Sequence, residues 1–71
     1  MTDTEQRLAE VEAQIADTET RIVERQKRVE NMLARGLDVE QIRATIAVMQ
    51  DTLAYLEAYR TQLLRQRRGE E

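Results

Sequence analysis

The sequence predicts an all-α fold, an antiparallel two-helix hairpin of the coiled-coil type. Three observations predict it. Apolar residues recur at alternating spacings of three and four along two stretches, the pattern of a helix with one buried stripe. Neither stretch contains proline or an internal glycine, and Ala, Glu, Gln, Arg and Leu dominate both, so local propensity agrees with the pattern. Between them, Arg35-Gly36-Leu37-Asp38-Val39-Glu40-Gln41-Ile42 holds a stop signal beside a start signal. With 71 residues the chain is expected to form one domain. Helix 1 is expected over about 3–35, a turn over 36–38 and helix 2 over about 39–68.

Helix 1 opens at Thr2 or Asp3, either of which can cap it, with Glu5 or Gln6 at the matching third position. A heptad then places Leu8, Ile15, Ile22 and Val29 at a, and Val11, Thr18, Arg25 and Met32 at d. Leu33 widens the stripe near the turn. Gly36 falls where a helix needs a left-handed residue to satisfy its last carbonyls, and Leu37 is placed to fold back onto Met32 in a Schellman ending.

Helix 2 starts from Asp38 as N-cap, with Gln41 completing a capping box and Leu37 and Ile42 spaced as a hydrophobic staple. Its seam carries Val39, Ile46, Leu53 and Arg60 at a, and Ile42, Met49, Leu56 and Leu63 at d. Arg65, Arg67 and Arg68 suit the negative end of its dipole ahead of Gly69. A connection this short forces the two helices antiparallel. Charge favours the same arrangement. The segment 1–20 is acidic through Asp3, Glu5, Glu10, Glu12, Asp17 and Glu19, and it would lie beside Arg60, Arg65, Arg67 and Arg68.

A lone hairpin is expected to cover each seam residue on one side only, which leaves little margin for a domain this small. The expected remedy is a homodimer closing into a four-helix bundle; another protein's helix is the second candidate. Leu8, Val11, Ile15, Ile22, Val29 and Met32 of helix 1, with Ile42, Ile46, Met49, Leu53, Leu56 and Leu63 of helix 2, form the expected self-association seam. Thr18, Arg25 and Arg60 interrupt it. Thr18 is read as tolerated in a wide stripe, whereas the two arginines either snorkel from its edge or fix register.

Val48, Tyr55 and Tyr59 lie off the seam and contain the only two aromatic residues; they are read as flanking a core or covering a dimer junction, and are also the possible partner surface. Ala9, Ala13, Ala16, Thr20 and Val23, with Ala44, Ala47, Ala54 and Ala58, line the backs of the helices, read chiefly as good helix formers on a solvated face, with a close-approach surface for a further helix as the alternative.

Composition narrows function further. The chain has no Cys and no His, which removes the usual zinc and haem ligands and the imidazole that activates most nucleophiles. No cofactor, metal or catalytic residue is expected, and the chain is read as a non-enzyme. A net charge of −3 argues against nucleic acid or anionic membrane as partners. The acidic, polar start predicts no signal peptide, and no apolar run approaches a membrane span, so the expected location is the cytoplasm.

Three stretches also carry a resemblance. The segment Ile15-Ala16-Asp17-Thr18-Glu19-Thr20-Arg21-Ile22-Val23-Glu24-Arg25-Gln26, the Arg-Gly-Leu-Asp turn and the run from Ala47 to Leu64 resemble a group of short uncharacterised bacterial helical-hairpin proteins. The resemblance implies the hairpin and no particular activity, and this chain lacks the His that often follows the turn glycine in that group. In architecture alone the chain is similar to ROP, a dimeric helical-hairpin RNA-binding protein. The cluster Arg21, Arg25, Lys27 and Arg28 could contact phosphates, and Arg21, Lys27 and Arg28 would carry a ROP-like role, although Glu24 and Glu30 are interspersed. The expected function is a self-associating structural or adaptor module for protein–protein interaction; the alternative is a ROP-like RNA-binding regulatory dimer.

Overall fold

Gly36 reverses the chain. Its φ of +73° is the only positive one among the described residues, 2–70 of a computed structural model. The Leu37 N–H donates to the Met32 carbonyl at 2.9 Å and the Gly36 N–H to the Leu33 carbonyl at 3.0 Å. This pair of bonds defines the Schellman ending expected at that position. Asp38 then accepts from the Glu40 N–H through Oδ1 at 3.0 Å, and the first backbone bond of the next helix runs from the Arg43 N–H to the Val39 carbonyl. The return bond from Gln41 that would complete a capping box is not formed among the described residues.

The turn joins α1, Asp3–Ala34, to α2, Glu40–Glu70. Thr2 caps α1, its hydroxyl oxygen accepting from the Glu5 N–H at 3.1 Å. The fold is all-α: two helices pack along their whole length in a rod of 55 × 17 × 12 Å.

The seam between the helices is closed more completely than one-sided cover would suggest. Leu8, Val11, Ile15, Ile22, Val29, Val39, Ile46, Leu56 and Leu63 are only 2–8% exposed within a single chain. Met32, Ile42, Met49 and Leu53 are half-buried beside them. Side chains at a and d of one helix sit between those of the other, and each fully buried aliphatic residue contributes about 1.5–3 kcal/mol. The core has two clusters. Leu8, Val11, Ile15, Leu56 and Leu63 form the one near the chain ends, and Ile22, Val29, Val39 and Ile46 form the one near the turn. Leu53 packs against both. On α1 the gap between them falls at Thr18, whose hydroxyl donates to the Gln14 carbonyl at 2.8 Å and so needs nothing from the opposite helix.

Polar contacts across the seam are sparse. Thr4, 4% exposed, donates to Glu70 Oε1 at 2.7 Å, the one side-chain hydrogen bond between the helices among the described residues. Both residues occupy d positions, one heptad outside Val11 and Leu63. Among the described residues both ion pairs lie within α1, Asp3–Arg7 and Asp17–Arg21, each 3.2 Å at i,i+4. The charge complementarity expected between the legs therefore makes no direct interhelical pair among the described residues. Where Arg7, Arg21 and Arg28 flank the seam, the α2 positions flanking that side are Thr45, Thr52, Tyr59 and Gln66, which offer no carboxylate. Arg25 and Arg60 lie half-buried in the seam and form no ion pair among the described residues, as stems that snorkel from its edge do.

Two substitutions test this architecture by urea denaturation. A Cβ on Gly36 would meet nothing within 4 Å, so Gly36→Ala should lose about 1 kcal/mol from backbone strain alone, and Gly36→Asn less. An unchanged midpoint for the alanine variant would contradict the left-handed cap. Thr18→Val should gain roughly 0.5–1 kcal/mol by adding apolar surface between the two clusters. A loss there would mean that the hydroxyl serves the seam.

Candidate interaction surface

With the seam consumed inside the hairpin, the question is which apolar groups remain at the surface. The residues expected to mediate self-association are those that the other leg of the same chain covers. Val48, at 65% exposed, and Tyr55, at 71%, stand clear of it on the outside of α2. Tyr59 shares that side but is half-buried, and its ring packs against the cluster near the chain ends. Helical spacing explains the grouping: positions 48, 55 and 59 recur at seven and four, within one narrow sector. Neither tyrosine hydroxyl is bonded to the protein among the described residues, so each ring offers an apolar body with a free polar tip.

This sector extends well beyond three residues. Thr45 and Thr52 continue it, and their hydroxyls donate to the Gln41 and Val48 carbonyls, each at 3.1 Å. With those donors satisfied inside the helix, the threonines add no open polar demand to the surface. Gln41, Gln62 and Gln66 complete the stripe, which contains no charged residue between 41 and 66. The corresponding stripe of α1 carries Arg7, Glu10, Asp17, Arg21, Glu24 and Arg28. In a chain that is 35% charged, the two helices thus present outer sides of opposite character. Reading only large apolar residues finds Val48, Tyr55 and Tyr59 but misses the threonines and glutamines. The signal that reveals them is the lack of charge at a repeated spacing.

Two other surfaces bear on the expected roles. An open groove of about 450 Å³ near the turn is lined by Gln26, Val29, Glu30, Leu33, Arg43 and Ile46, with the exposed Leu33 on its wall. Its rim holds one acid and one base, a mixed surface without a single charge preference. The basic cluster is dispersed. Arg21 is engaged by Asp17, Arg25 is half-buried in the seam, and Lys27 borders a shallow groove shared with Glu19 and Glu24. Among the described residues, no group of three or more potential metal ligands converges, and no helix is long and apolar enough to cross a membrane.

No protein-family model matches the chain, and no curated protein or solved structure matches it. The surface itself is what bears on function.

The division between seam and outer stripe is measurable. Under conditions where the chain is monomeric, Val48→Ala and Tyr55→Ala should each shift stability by less than about 0.5 kcal/mol. Leu63→Ala, at a site 2% exposed, should cost about 2–5 kcal/mol. Equal costs at the two classes of site would show that the outer stripe is part of the hairpin's own core.

Proposed function

We propose that this chain is a non-catalytic helical-hairpin protein of the cytoplasm that self-associates, preferentially as a dimer, and serves as a structural or adaptor module for protein–protein interaction. The observation that carries the reading is surface area. The rod exposes 5530 Å², against roughly 4,600 Å² for a compact monomer of its mass. The excess, about 900 Å², follows from the elongated 55 × 17 × 12 Å shape, which leaves the flanks of both helices open to a neighbour. An outer α2 sector free of charge, with Val48 and Tyr55 open to solvent, supplies the kind of surface at which such an area is covered. The chemistry fits the same reading, since a chain without Cys or His has few groups suited to catalysis.

Support for the RNA-binding alternative is weaker, because one arginine of its cluster is paired and another lies in the seam. Multi-angle light scattering across a concentration series tests the proposal. The expected result is a mass that rises with concentration to twice that of one chain. A mass of one chain at every concentration, together with salt-sensitive gel shifts of RNA, would replace this reading with the ROP-like one.

A further inference from the structure

The outer stripe of α2 is a second heptad. From Gln41 to Gln66 its positions alternate by four and three throughout, the spacing of a helix–helix seam. It lies about 100° around α2 from the seam that packs on α1, close to the right angle between a helix's two neighbours in a square arrangement of four. Its spacing is symmetric end to end, with Gln41 and Gln66 alike in residue type. Run antiparallel against itself about a point between Thr52 and Tyr55, it sets Gln41 opposite Gln66, Thr45 opposite Gln62, Val48 opposite Tyr59 and Thr52 opposite Tyr55.

From this we propose that the occupant of the stripe is a second copy of the chain, docked α2 against α2 in antiparallel orientation about a two-fold axis. The inference rests on the self-association reading above and assigns it a surface. Such an interface is isologous, so each contact occurs twice: Val48 meets the partner's Tyr59 and Thr52 meets the partner's Tyr55. Flanking charges select the direction. In a parallel pair the basic ends of the two copies, Arg65, Arg67 and Arg68, would lie side by side. In the antiparallel pair Asp51 faces the partner's Ala58 and Arg65 the partner's Ala44, while Arg67 and Arg68 approach the partner's Glu40.

Two experiments on the intact chain test the geometry. Val48→Glu and Tyr55→Glu place a carboxylate in the stripe at exposed sites, so helicity by circular dichroism should be retained while dimer affinity falls at least about tenfold. The chain has no native cysteine, which permits the second experiment. A mixture of Gln41→Cys and Gln66→Cys chains should form the mixed disulfide under mild oxidation. Gln41→Cys alone should not, because its two copies would stand roughly 37 Å apart along the helices. A wild-type dimer whose affinity neither glutamate changes, or a Gln41→Cys chain that cross-links to itself, would overturn the assigned surface and leave self-association standing. A wild-type chain that stays monomeric throughout would remove both.

Discussion

Everything in this molecule depends on packing the a and d residues of α1 between those of α2 within one chain. That contact requires the chain to reverse in a few residues and to return in register. Gly36 provides the reversal by adopting a left-handed conformation, and Asp38 sets the next helix going with a bond to the Glu40 amide. From there the register is held by apolar contacts rather than by charge. Among the described residues the ion pairs lie within α1, and the one side-chain bond across the seam joins Thr4 to Glu70 at the open end. Exposed charges on separate helices gain little in water, whereas a local i,i+4 pair is held in place by its own helix.

Much of this was legible in the residues because it rests on local chemistry. The Thr2 cap and the Schellman ending each depend on a residue type at a fixed offset, and each forms as its offset predicts. At the second start Asp38 bonds the Glu40 amide from one position before the N-cap, since the Val39 carbonyl takes the first helical bond. The seam follows from period alone. Three features were harder to read. Thr4 and Glu70 are polar, so hydrophobic pattern does not mark them, although extending the d positions one heptad outward in each helix reaches both. The extent of burial in a single hairpin depends on how side chains interlock, which spacing does not report. The segment charges of the two legs look complementary, yet the α2 positions beside Arg7, Arg21 and Arg28 are uncharged, so complementarity by segment does not become contact by residue.

The two helices consequently differ in kind. α1 has one apolar stripe and an outer surface dense in alternating charge, the composition of a helix that ends against solvent. α2 has one apolar stripe and a second stripe from which charge is missing. Tyr59 links them, since its ring packs on the core near the chain ends while its position belongs to the outer stripe. Such a helix has two neighbours to satisfy, and the chain supplies one of them.

The most direct test of the central claim, that the seam is closed by the two legs of one chain, is a distance between them. Spin labels at Gln14→Cys and Gln62→Cys, measured by double electron–electron resonance with labelled chain diluted in unlabelled, sit nearly level across the hairpin. Helices packed at about 8–10 Å should hold the labels within roughly 25 Å of each other, and that distance should persist on dilution. A separation near roughly 70 Å, as along one continuous helix, or a short distance that disappears as unlabelled chain is added, would contradict it.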